Sequence, residues 1–250
     1  MGVGKYTRGL PLAFPNNALQ CIPWSGLIHG FEVAIPTSFL SVYGTREWFS
    51  DEHEDQMLDL LWQEMMESGI SSSADIENTQ WSVKLRQAYR HQEQYGTGAD
   101  YGWLHATGKM LADGTRDEIG MIANINHNHW IAVSLNFKNR RIVLQPNWTL
   151  KHYHQILYGD SLRDTPNQEL IHALKWWTHL HTGHIFMVED LPISRQQDGY
   201  SCGLLAWNAL MIYLLQSKNY TLMDPKNIDD ERLKVLLRIT EQHQDQVGAY

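Results

Sequence analysis

The segment that most constrains the fold is Gln196 to Leu215. There a polar, glycine-containing stretch, Gln196-Gln197-Asp198-Gly199-Tyr200-Ser201-Cys202-Gly203, runs straight into the apolar Leu204 to Leu215. An apolar run of that length reads as a buried helix. Cys202 then sits in the first turn of that helix, where unpaired N–H groups and the helix dipole favour a thiolate over a thiol. Gly199 and Gly203 let the backbone crowd close to whatever the sulfur meets.

Around this helix the chain reads as one α+β domain over residues 25–245, preceded by an irregular lead-in over 1–24. Phe31 to Tyr43 has strand or loop character. A helix is predicted over 51–67, with Asp51 and Glu54 at capping-box spacing, Met57, Leu58, Leu61 and Met65 on its apolar face, and Gly69 as its stop. Ser71 to Asn78 is polar and reads as a loop, and Trp81 to Tyr95 as a second amphipathic helix stopped at Gly96. From Glu118 onward, short apolar runs at Met121–Ala123, Trp130–Leu135, Ile142–Leu144, Ile156–Tyr158 and Ile185–Val188 read as strands. Asn167 to His181 is helical, with Leu170, Leu174 and Trp177 on one face. Ile228 to His243 gives a last helix with Leu233, Leu236, Leu237 and Ile239 as its apolar side.

Composition narrows the function classes. A formal charge of −8 argues against a nucleic-acid binder. Cys21 and Cys202 are the only cysteines, with no disulfide framework and no CxxC, which suits a reducing compartment, cytosol or nucleus. No apolar run reaches the ~18 to 20 residues of a membrane span, and the N-terminus lacks a signal-peptide core. The HxH pairs His127/His129, His152/His154 and His179/His181 lack carboxylates or cysteines at ligand spacing and read as surface histidines. No metal or cofactor is expected, and the chain is expected to be a monomer.

The chemistry-bearing residues lie upstream of the helix as well as on it. His129-Trp130 starts one apolar strand and Gly159-Asp160-Ser161 ends another. A thiolate needs a base that holds its proton, a group that orients the base, and donors for an oxyanion. Cys202 supplies the sulfur, His129 the base, Asp160 the orienting acid. Gln196, with the N–H of Cys202, supplies the donors. Taken singly, His129 is also readable as a strand-end histidine, Asp160 as a turn residue and Gln196 as a solvated loop side chain.

The order His129-Trp130, then Asp160-Ser161, then Gln196 through Cys202-Gly203 resembles the ubiquitin-like protease family, the SUMO-deconjugating cysteine proteases. Trp48-Phe49-Ser50-Asp51 resembles the family's Trp-Leu-(Asn/Ser)-Asp segment. The resemblance covers residues 25–240 and implies a papain-like, adenain-type fold with a central mixed sheet flanked by helices. It implies cleavage after the C-terminal Gly-Gly of SUMO or another ubiquitin-like modifier, by deconjugation or precursor maturation, and, for location, the nucleus. It also implies that Trp48, Asp51 and Trp130 shape a channel for the modifier's tail, with the two indoles sandwiching it.

One departure bears on the acid. His129 and Asp160 are 31 residues apart, a longer interval than the family's, with the excess near Ile142 to Gln155. Asp160 is favoured over Asn147, because Ile156 to Leu162 reads as a strand delivering its Asp to a turn. Pro146 fits a strand end less well. The excess is read as an insertion beside the site, able to misplace Asp160. Two other readings follow: a catalytically degenerate module that grips a ubiquitin-like tail, and a same-clan acyltransferase in which a different acceptor attacks the thioester.

Overall fold

The structure is a computed structural model and describes residues 25–137, 143–144, 150–151 and 154–248. The lead-in over 1–24 with Cys21, and Asn147 and His152, lie outside the described residues. In chain order the elements are a 3-10 helix (Thr37–Gly44), α1 (Asp51–Glu67), β1 (Ala74–Glu77), α2 (Thr79–Arg90), α3 (Gly102–Ala112), β2 (Glu118–Ile125), β3 (His129–Asn136), β4 (Val143–Leu144), β5 (Leu150–Lys151), β6 (His154–Gly159), α4 (Gln168–Thr182), β7 (Phe186–Asp190), α5 (Cys202–Leu215) and α6 (Ile228–Gly248).

Five strands form a mixed sheet in the order β1-β2-β3-β6-β7. The β2–β3 and β3–β6 pairs are antiparallel, while β1–β2 and β6–β7 are parallel. Every residue of the central β3 is buried, and its side chains alternate between two cores. Trp130 and Ala132 join Ile122 and Leu157 against α1, α5 and α6, while Ile131, Val133 and Leu135 join Met121 and Ile156 against α2, α3 and α4. The apolar helix foreseen after Cys202 is α5. All its residues except Ile212 and Tyr213 are buried, because it lies across β3 with α1 on its other side.

Several local readings hold and several need correction. α1 spans Asp51–Glu67, and the chain leaves it through Gly69 at φ 77°, a left-handed residue. The cap, however, is Ser50. Its N–H donates to His53 Nδ1 at 3.2 Å in a capping box, while Asp51 is the first helical residue and Glu54 points into the core. Of Phe31 to Tyr43, read as strand or loop, 31–36 is loop with one bridge between Leu27 and Pro36, and the rest is the 3-10 helix. The polar 71–78 stretch contains β1, an edge strand that pairs in parallel with β2 and buries Ala74 and Glu77. The helix predicted over Trp81–Tyr95 stops at Arg90 and resumes for a single turn at Gln92–Tyr95, because His91 leaves helical geometry at φ −126°, ψ 50°. On α6 the buried stripe runs Ile228, Arg232, Val235, Leu236 and Ile239, leaving Leu233 and Leu237 half-buried.

Candidate active site

His129 opens β3 and Asp160 follows the last residue of β6. Because these strands are antiparallel, with Ala132 opposite Gly159, the start of one and the end of the other lie at the same edge. The hairpin that delivers His129 turns through Asn126 and His127, both left-handed at φ 55° and 61°. His129 Nε2 meets Asp160 Oδ1 at 2.7 Å. The same Oδ1 accepts the N–H of Leu162 at 2.8 Å. Both residues are buried.

With Nε2 engaged, Nδ1 is the ring nitrogen left for the sulfur, and Cys202 lies close enough to raise the imidazole pKa. Burial alone would push its proton off. The hydrogen bond to Asp160 and the negative charges of Asp160 and Cys202 outweigh burial and raise the imidazole to about 9. For Asp160, burial pushes up, but the bonds from His129 and the Leu162 N–H hold the carboxyl below its ordinary value. The order is therefore carboxylate, imidazolium, sulfur. The β3–β6 connection leaves at Asn136 and rejoins at His154, the opposite end of both strands from this site. The two points where the longer interval joins the ladder thus lie at the far end of the strands from Asp160, while most of the residues between them lie outside the described residues.

Cys202 is the first residue of α5 and is buried at 1% exposure. The loop before it is shaped by Asp198, whose Oδ1 accepts the N–H groups of Tyr200 at 2.9 Å and Ser201 at 2.8 Å. Gln196 is strapped to the turn that carries the acid. Its N–H donates to the Ser161 carbonyl at 2.9 Å, and its Oε1 accepts from the Ser161 hydroxyl at 3.0 Å. That fixes which way the amide faces, and Nε2 donates to the Asp198 carbonyl at 2.8 Å. Nε2 also reaches Asp198 Oδ1 at 3.4 Å, so the amide N–H group is turned onto Asp198 within the loop. Ser161 and Asp198 were not assigned these tasks from sequence; the Asp-Ser pair and the Asp three residues before Ser201 were the available signals.

Trp48 and Trp130 also meet here, but not as walls of an open gap. Their rings stack on each other, 5.1 Å between centroids and 17° between planes. Trp130 is wholly buried and donates to the Phe49 carbonyl at 2.9 Å. Trp48 donates its Nε1–H to Cys202 Sγ at 3.1 Å, lying over the sulfur. Asp51 is bonded elsewhere, accepting from Gln80 Nε2 at 3.0 Å. The Trp48-Phe49 segment is braced by Arg232 of α6, a buried cation that sequence periodicity did not single out. Its Nη2 donates to the carbonyls of Val42 at 2.6 Å and Glu47 at 2.9 Å, and its guanidinium lies 3.9 Å over the Phe49 ring. Among the described residues no group of three His, Cys, Asp or Glu is arranged to hold a metal ion. No helix among them is long and apolar enough to cross a membrane.

Comparison with protein-family models gives no match, and comparison with curated protein sequences gives none either. Solved structures do match. A de-sumoylating protease aligns with 89% of this chain and 93% of its own, at TM-score 0.61 and 15% identity. The C-terminal Ulp1 protease domain, solved in complex with Smt3, the yeast ortholog of SUMO, aligns over 90% and 91%, at TM-score 0.58 and 18% identity. Ulp1 with its catalytic cysteine oxidised to a sulfenic acid aligns over 84% of both chains, at TM-score 0.57 and 18% identity. Over most of its length, with a mixed sheet flanked by helices, this chain has the fold of the ubiquitin-like proteases.

Proposed function

We propose that the chain is a cysteine peptidase that cleaves after the C-terminal Gly-Gly of SUMO or another ubiquitin-like modifier, inside the cell and as a monomer. The observation that carries this reading is the continuous string from Asp160 through His129 to Cys202, the last at a helix start. A buried sulfur beside an imidazolium is poised as an ion pair. The sulfur attacks the glycyl carbonyl. The oxyanion that forms draws on the Cys202 N–H, which has no intrahelical acceptor at that position, and on the Gln196 amide as it turns from Asp198. The imidazolium then gives its proton to the departing amine, leaving a thioester. His129 next takes a proton from water, and hydroxide attack releases the modifier's carboxylate. Asp160 keeps the ring in one tautomer through both steps.

The stacked indoles bear on the choice of substrate. A chain reaching Cys202 has to part Trp48 from Trp130 and break the bond from Trp48 to the sulfur. An extended Gly-Gly tail, lacking Cβ atoms, needs the smallest opening. The test is reaction with a panel of ubiquitin-like proteins carrying a C-terminal electrophile. The expected result is a covalent adduct on Cys202 with at least one modifier, lost in Cys202→Ser and weakened when the penultimate glycine is alanine. If iodoacetamide modifies Cys202 but no modifier does, the peptidase reading fails for this substrate class. With a modifier–aminomethylcoumarin substrate, an acyl-enzyme thioester resolved by an added amine and not by water identifies an acyltransferase instead.

A further inference from the structure

Beneath the first turn of α5 lies a carboxyl that the chemistry above does not use. Glu54, in the first turn of α1, is wholly buried, and neither of its oxygens has a hydrogen-bond partner among the described residues. An apolar side chain would fill that space without the cost of a bare buried carboxyl. Its Oε1 packs so closely on Gly203 that a Cβ there would overlap it. The glycine after the nucleophile is what makes room for the acid. The charged and titratable groups facing Glu54 are Cys202 from α5, Asp51 and Asp55 from α1, Arg232 from α6 and Tyr43 from the 3-10 helix.

We propose that Glu54 is a positioning residue for Cys202: a wedge beneath the first turn of α5 that shares one negative charge with the sulfur, so that carboxylate and thiolate exclude each other at that helix start. The inference rests on the reading of Cys202 as the nucleophile. Burial holds the Glu54 carboxyl well above the usual carboxylate range, and the sulfur's charge pushes it further in the same direction. Arg232 pulls the other way, but its Nη2 is committed to two backbone carbonyls. His129 gives the sulfur a cation of its own. Burial thus leaves Glu54 as the neutral acid that holds the turn beneath the sulfur.

Infrared titration of the protonated-carboxyl band tests this on the full chain. Asp55, Asp59 and Glu77 also titrate high, at about 6, 6 and 7, so the Glu54 band is assigned by its loss in Glu54→Gln or, if that variant does not fold, in Glu54→Met. The expected result is that Cys202→Ser, or alkylation of Cys202 by iodoacetamide, lets Glu54 ionise at a pH lower by about one unit or more, the scale for two charges a few ångströms apart. If neither assigning variant folds, the difference between wild type and Cys202→Ser alone must show a carboxyl band that persists to higher pH in wild type. An unmoved carboxyl titration overturns the proposal and leaves Glu54 as a filler of space. Turnover separates this outcome from the peptidase reading. A shifted titration in a chain that acts on no modifier sinks the peptidase alone, and an unmoved one in an active enzyme sinks Glu54's role alone.

Discussion

The two ends of the β3–β6 ladder are built from the same pair of strands and treat their residues very differently. At one end, His129, Asp160, Ser161, Gln196 and Cys202 are tied by hydrogen bonds between 2.7 and 3.0 Å or by the imidazole–sulfur contact, and Glu54 and the stacked indoles crowd the sulfur. At the other, Asn136 and His154 bound the long interval that sets this chain apart, with Asn136 roughly 20 Å along β3 from His129. The lesson is that an antiparallel ladder insulates: length added at one end leaves the register, and so the geometry, at the other end unchanged. Insertions are tolerated where closure costs only the slow logarithm of loop length.

The largest expected effect lies at the crowded end. Cys202→Ser should abolish turnover of a modifier–aminomethylcoumarin substrate while far-ultraviolet circular dichroism and melting stay close to wild type. Turnover near wild type would remove Cys202 from the chemistry.

Asp160→Asn comes next. An amide stabilises the imidazolium less and accepts no charge, so kcat/KM should drop by a large factor, below the ~10⁴ of the serine-protease template because here the sulfur and imidazole are already paired. The same substitution should change the pH profile. In wild type the imidazolium that protonates the leaving group is lost as pH passes about 9, so activity should fall there. Without the aspartate's bond and charge that descending limb should move to lower pH. Stability follows the same sign: His129, raised in the fold, contributes fully below its ordinary 6.5 and loses that contribution as pH climbs through about 9. A melting temperature that is flat between those values in wild type and in Asp160→Asn alike would break the assigned pair.

Gly203→Ala should destabilise by about 1–3 kcal/mol, the usual penalty for overpacking, because the new methyl needs the space of the Glu54 carboxyl. Denaturant melts of Gly203→Ala with and without Glu54→Ala check this, with partial recovery expected in the double variant. No coupling between the two would mean that the carboxyl is free to move aside.

The smallest effect belongs to the far end. Shortening the interval between Phe137 and His154, with β6 left intact, should change kcat/KM little, and Asn147→Ala should be nearly silent. Complete deletion of Ile142 to Gln155 goes too far, because Gln155 is a buried β6 residue paired with Asn136. A large loss from Asn147→Ala, with Asp160→Asn silent, would exchange the roles of the two ends.

What was legible in advance were features that a short window of residues determines by itself. The limits of α1 follow from apolar spacing and a left-handed glycine, and the position of Cys202 follows from a polar, glycine-containing stretch meeting an apolar run. The starts of β3 and α4 are legible for the same reason: His129 precedes a run of buried apolar residues, and Asn167 caps its helix by accepting from Leu170 N at 3.0 Å. Where local chemistry is neutral the reading fails. β1 has polar residues on an edge, so its backbone pairing leaves no trace in hydropathy, and α3 carries Gly102 and Gly108, which blur a helical pattern.

Sequence by itself determined the residue types of the candidate site and the elements that bear them, because caps, periodicity and glycines act within a few residues. Only the tertiary structure decided which acid serves His129, since that choice depends on the register of strands separated by 31 residues. It alone decided that Trp48 covers the sulfur and that Arg232 and Glu54 are buried. The physical reason is that burial and charge pairing are set by the elements packed opposite a residue, which come from distant parts of the chain.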